Sequence, residues 1–223
     1  MPSIRRDIKP GGWNLTEGYI VDPLGIENES MRIIYEELGG RSWEEPLNSI
    51  IKRCIHTTAD FDYADIVTCS EGAAERGVEL LCGGADIVTD TMMAASGINK
   101  RKLAEYGGQV HCFIADEDVA KEAKERGITR AMVSMEKASK MGKEMVYVIG
   151  NAPTALIRLE ELIREGGVSP GLIIGVPVGF VNVVESKELI MESGAPYIVS
   201  RGRKGGSNVA ATICNALLYA RGR

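Results

Sequence analysis

The chain has 223 residues, 44% of them hydrophobic and 26% charged, and a formal net charge of −5. That composition belongs to one globular α/β domain with a sizeable core, and excludes a disordered or fibrous chain. No long basic run occurs, which argues against nucleic acid as a partner, and no apolar run approaches the roughly 20 residues of a membrane span. The five cysteines, Cys54, Cys69, Cys82, Cys112 and Cys214, are odd in number and form no C-x-x-C pair. This argues against a disulfide framework and a structural zinc site, and fits a reducing cytoplasm. With two histidines and no H-E-x-x-H, a catalytic metal held by imidazoles is not expected.

Residues 1–25 carry Pro10, Gly11, Gly12, Pro23 and Gly25 and read as an irregular arm; Met1 to Pro10 is charged and lacks an apolar signal core. The remainder, 26–223, reads as one domain. A helix is expected near Ile26–Leu38, with Ile26, Ile33, Ile34 and Leu38 inward, ended by Gly39-Gly40. Ser42-Trp43-Glu44-Glu45 has the form of a capping box opening the next helix. In that helix Leu47, Ile50, Ile51, Cys54 and Ile55 share one face, and His56 falls where it gives way to a polar turn.

Beyond that turn β-branched runs at Ile66–Thr68, Ile87–Thr89, Val110–Ile114, Met145–Ile149, Leu172–Val176 and Tyr197–Val199 alternate with helical segments. The helices are expected at Glu71–Leu81, Asn99–Tyr106, Glu117–Arg126, Thr129–Lys140, Ala155–Glu165, Ser186–Ser193 and Ser207–Tyr219. The alternation predicts a Rossmann-like, mostly parallel sheet covered by helices on both faces. Ligands of such sheets bind beyond the carboxyl ends of the strands. That directs attention to Asp90–Met93, Gly150–Thr154, Gly175–Phe180 and Ser200–Asn208.

His56 has the side chain whose resting pKa lies nearest neutrality, suited to giving and taking a proton; on chemistry alone, capping the helix C-terminus is the simpler account of it. Asp60, Asp62 and Asp65 lie close by in sequence, so one of them is a candidate to orient the ring. Arg201, Arg203 and Lys204 alternate with Gly202, Gly205 and Gly206 ahead of Ser207, which is placed to cap the last helix. Cations, bare amides and a helix start make an anion site. Lys204 precedes the glycine pair, so this is not a Walker A loop, and no G-x-G-x-x-G follows a strand. Asn151 reads as a helix cap with Pro153 in the first turn. Gly175–Asn182 reads either as the wall of a flat apolar pocket bearing Phe180 or as a buried turn. His111 reads as a satisfied core histidine, and Met92, Met93, Met132 and Met135 as core filler.

Taken in order, Ile55-His56, the run Ile149–Leu156 (I-G-N-A-P-T-A-L), the run Gly175–Val181 (G-V-P-V-G-F-V), Glu185-Ser186-Lys187 and Arg201–Ser207 resemble the precorrin-8X methylmutase family, cobalt-precorrin-8 methylmutases included. The resemblance spans about Ile20 to Leu218. It implies an isomerase of vitamin B12 synthesis. Such an enzyme moves a methyl from carbon eleven to carbon twelve of the corrin macrocycle, in what is described as a 1,5-sigmatropic shift, to give hydrogenobyrinate or cobyrinate. It also implies a homodimer with sites near the subunit interface and no cofactor. On the same terms His56 is the proton donor and acceptor, and Ser30 and Arg130 are substrate-contacting. The substrate's acetate and propionate rim gives Arg130, Arg203 and the Gly205 amide carboxylates to hold, and places Asn151 at the same strand ends. A non-catalytic corrinoid carrier on the same scaffold is the alternative; a phosphate- or nucleotide-binding protein using Arg201–Ser207 is a third reading.

Overall fold

The computed structural model describes residues 20–222. The expected arm lies largely outside them. The chain divides into two compact units, one ending at Gly40 and the other running from Arg41 to the C-terminus.

In the first unit α1 spans Pro23–Glu37. Asp22 caps it by accepting from the Gly25 N–H, Pro23 opens it, and Gly39 at φ 61° follows its end. Ile34 is buried as expected, whereas Ile26 and Ile33 stand exposed.

The second unit opens with α2 (Leu47–Thr58) and α3 (Tyr63–Ile66), followed by β1 (Val67–Cys69), α4 (Ala73–Cys82), β2 (Asp86–Thr89), α5 (Met92–Gly97) and α6 (Lys100–Glu105). It continues through β3 (Val110–His111), α7 (Glu117–Arg126), α8 (Arg130–Ser139), β4 (Met145–Ile149), α9 (Pro153–Arg164), β5 (Leu172–Gly175), α10 (Val183–Glu192), β6 (Tyr197–Ser200) and α11 (Ser207–Tyr219). The six strands lie in the order β1-β6-β5-β4-β2-β3. All neighbours are parallel except β1, which runs antiparallel to β6 at one edge. β3 is shorter than its apolar run predicts. As an edge strand it pairs through Val110 and His111 alone, and Phe113 leaves the ladder to pack under α7 and α8.

Strands buried on both faces explain the continuous apolar runs. Met145, Tyr147 and Ile149 of β4 join Ile173, Val199, Met135, Leu156 and Leu159 in one cluster beneath α8 and α9. Val146 and Val148, pointing the other way, meet the layer formed by α2, α4 and α11. That layer is tightly drawn: a Cβ on Gly77 of α4 would lie 2.8 Å from both Leu172 and Leu217 side chains, which would have to shift to admit it. Ile50, Ile51, Cys54 and Ile55 of α2 are all buried. Each isoleucine contributes about 1.5–3 kcal/mol of burial, which anchors α2 and hence its C-terminal end.

The Tyr147 hydroxyl is buried with no hydrogen-bond partner among the described residues, and burial pushes its pKa up to about 12. A stranded polar group costs stability. Tyr147→Phe is therefore expected to stabilise the protein by about 1 kcal/mol, seen as a rise in Tm of about 2–4 °C. A lower Tm would mean that the hydroxyl has a partner.

The candidate active site at the strand ends

β2 has β3 on one side and β4 on the other, so the chain reverses direction across the sheet between β2 and β4. The crevice at such a switch is where open α/β sheets bind ligands. Here it is built around Asp90. This buried carboxylate accepts from the N–H groups of Gly150 at 2.9 Å, Asn151 at 2.8 Å and Ala152 at 2.7 Å. Burial raises its pKa above the ordinary carboxylate value, and the three N–H groups pull against that rise. Asp90 thus fixes the turn ahead of α9 and does not cap the helix. The cap position of α9 is Ala152, with no side-chain cap, and the exposed Asn151 side chain is left free to face a ligand.

The start of α11 closes over the same crevice. Ser207 is its first helical residue rather than its cap; its hydroxyl meets that of Thr91 at 2.9 Å instead. A Cβ on Gly150 would come within 2.7 Å of the Ser207 Cα, so the strand end and helix start touch backbone to backbone. Arg130 opens α8 beside this group: its neighbour Thr129 meets Thr154 of α9 at 2.9 Å. The Arg130 side chain is exposed and has no ion pair among the described residues.

The Arg201–Gly206 loop leads from β6 into α11. The Gly206 N–H donates to the Val176 carbonyl at 2.8 Å, and the same oxygen lies 2.1 Å from where a Cβ on Gly205 would stand. No other residue allows that approach. Arg203 stacks over the Phe180 ring, 5.5 Å from its centroid. Phe180 is 83% exposed and Val181 77%, so the loop is an open apolar surface from Val178 on, while Gly175–Pro177 is buried. Met92 and Met93 at the start of α5 are also exposed, which corrects their reading as core; Met135 is indeed core. The misreading has a simple origin: α5 is a short helix that the apolar pattern did not reveal.

His56 stands in the last turn of α2, which ends at Ala59 in the left-handed conformation. The ring is exposed. Glu45, rather than a box on Ser42, steadies the start of α2 by accepting from Ser49 N–H and Asn48 Nδ2. Two links fix its end. Thr57 meets Thr212 of α11 at 3.0 Å, and Lys204 donates to Asp60 at 2.5 Å and Asp62 at 2.6 Å. Asp65 pairs with Arg41 at 2.6 Å. The three aspartates therefore serve the scaffold, and none of them orients the imidazole. Asp60 and Asp62 do tie the turn that follows His56 to the loop that carries Arg203 and Gly205. A depression of about 570 Å³ lined by Glu45, Ser49, Glu79 and Arg221 sits at the other end of α2 and does not include His56. Ser30 lies in the first unit, on α1, with its hydroxyl donating to the Ile26 carbonyl at 2.8 Å. His111 is partnered as expected, with Nε2 3.2 Å from Asp86. Lys187, buried beneath the loop, stood in the sequence only as part of the Glu185-Ser186-Lys187 run, with no role attached to it.

The family model described as precorrin-8X methylmutase matches residues 25–220. The chain belongs to that family. A precorrin-8X methylmutase family member from Salmonella typhimurium, named cobalt-precorrin-8 methylmutase, is 47% identical, covering 90% of this chain and 97% of its own. The cobalt-precorrin-8 methylmutase of Leptospira interrogans is 46% identical over 86% of this chain and 91% of its own. In solved structures, the precorrin-8X methylmutase of Thermus thermophilus superposes with a TM-score of 0.80 at 38% identity, covering 89% of this chain and 98% of that one. Within this family fold the Lys204 link has a pH signature. The side-chain bond from Lys204 holds the Asp60 carboxyl below its ordinary value. Its stabilisation is therefore present above pH about 4 and lost as pH falls through the lowered value. Lys204→Met should lower Tm by about 1–3 °C at pH 7 and by less at pH 3. An equal loss at both pH values would show that the ion pair does not matter.

Proposed function

We propose that this chain is a methylmutase of cobalamin biosynthesis. It moves a methyl group from carbon 11 to carbon 12 of precorrin-8X or its cobalt counterpart, giving hydrogenobyrinate or cobyrinate. The family match over residues 25–220 carries this reading, since it takes in His56, the strand-end crevice and the Arg201–Gly206 loop together. The reaction is an isomerisation: one carbon–carbon bond breaks, its neighbour forms, and no atom is gained or lost. His56 lends a proton to the macrocycle, which draws electron density out of the conjugated system and eases the shift, and then takes the proton back. Arg130, Arg203 and the Gly205 amide hold peripheral carboxylates, with Asn151 beside them and Ser30 as a further contact. The exposed Met92, Met93, Phe180 and Val181 offer apolar surface to the flat ring. A site this open fits completion by a second copy of the chain, so we assign a homodimer acting in the cytoplasm. No helix among the described residues is long and apolar enough to cross a membrane.

Absorbance spectra taken after incubation with the metal-free and with the cobalt-bearing precursor test the proposal. Conversion of either chromophore is expected. Tight binding of both with conversion of neither would instead favour a corrinoid carrier, and saturable nucleotide binding without corrinoid binding would favour a phosphate site.

A further inference from the structure

Lys187 lies on α10 with no measurable exposure. Its ammonium donates to the Gly202 carbonyl at 2.8 Å and the Lys204 carbonyl at 2.9 Å, with the Ser200 hydroxyl at 3.4 Å. Ser200 Oγ donates to the same Lys204 carbonyl at 2.8 Å. Every acceptor is neutral. A buried cation with no carboxylate among its hydrogen-bond partners is costly unless its charge is used, and burial lowers its pKa to about 8.

The use follows from peptide geometry. In a planar trans peptide the N–H points opposite to the C=O. With the Gly202 and Lys204 carbonyls drawn inward onto Lys187, the N–H groups of Arg203 and Gly205 point the other way. Neither finds an acceptor among the described residues, whereas the Arg201 and Gly206 N–H groups are spent on Ile66 and Val176. Two amides two positions apart, facing outward over a buried positive charge, make an anion-binding concavity. The Arg203 guanidinium, stacked on Phe180, stands at its rim.

We propose that Lys187 is a positioning residue that turns the Arg203 and Gly205 amides outward to grip one carboxylate of the corrinoid. This rests on the methylmutase reading and adds to it the group that shapes the carboxylate site. Lys187 touches no substrate; it acts through the two carbonyls it holds.

Lys187→Met keeps the length of the side chain and removes the charge. It should raise KM for the corrinoid about 10–100-fold while kcat stays within about threefold. Ser200→Ala, a milder change to the same bridge, should raise KM about 3–10-fold. In wild-type protein, ¹⁵N spectra should show the Arg203 and Gly205 amides moving downfield on adding the product corrinoid. They should move much less with a derivative whose peripheral carboxylates are converted to amides. Unchanged KM in a folded Lys187→Met protein overturns the proposal. So do wild-type amides that ignore the carboxylate form, a reading that needs no variant to fold. Ser200→Ala with wild-type KM counts against it in the same way. A wild-type protein that neither binds nor converts the corrinoid would instead overturn the methylmutase reading itself.

Discussion

His56→Ala should lower kcat for the methyl shift by about 10²–10⁴-fold, the range a positioned proton donor and acceptor contributes. The fold should be untouched, because the ring is exposed and makes no side-chain hydrogen bond among the described residues. The anchoring of α2 comes from Ile50, Ile51, Cys54 and Ile55 on its other face. Corrinoid binding should survive, since the carboxylates are assigned to Arg130, Arg203 and Gly205. Single-turnover spectra separate the two effects: the variant should bind and not convert. Near wild-type turnover by a folded variant would reduce His56 to a cap at the helix C-terminus. A loss seen only in KM would make it a binding group.

The strand–helix alternation made the parallel sheet legible from sequence. Fully buried strands such as Met145–Ile149 and Leu172–Gly175 leave apolar runs that little else produces. The switch-point crevice to which the site is assigned was legible too, because it follows from topology. What escaped was the choice of partner for each polar group. Asn151, Ser42 and Ser207 occupy positions where a cap is ordinary, yet none of them caps: Asp90 from another strand end holds the Asn151 N–H, Glu45 serves the start of α2 locally, and Thr91 takes the Ser207 hydroxyl across the crevice. A local motif cannot register a carboxylate arriving from 60 residues away. For the same reason Asp60 and Asp62 looked like companions of His56 by proximity in sequence, while Lys204, far along the chain, claims both. Met92 and Met93 depart from the core reading because composition says only that methionine favours interiors, and these two stand exposed at the start of α5.

Asp90 is the position where a single change should cost the fold most. Its carboxylate receives three backbone N–H groups from the turn between β4 and α9. Removing it strands all three, in a place where the touching backbones of Gly150 and Ser207 leave little freedom to turn toward water. Each bond to a charged acceptor is worth about 1.5–3 kcal/mol, and stranded buried donors add their own penalty. Burying the charge in the native state offsets part of that sum, which is why the carboxyl is raised in pKa despite its donors. Asp90→Ala is therefore expected to destabilise the protein by about 3–5 kcal/mol, lowering Tm by about 6–20 °C. Asp90→Asn should fall between, because one amide oxygen can still accept while the NH₂ faces donors. The damage should also reach the site, since the Asn151 turn and the start of α9 would lose their register against Arg130. Chemical denaturation of both variants, read beside their KM values, tests the two effects together. An alanine variant with wild-type stability would mean that the turn holds its own shape and that Asp90 is kept for binding alone.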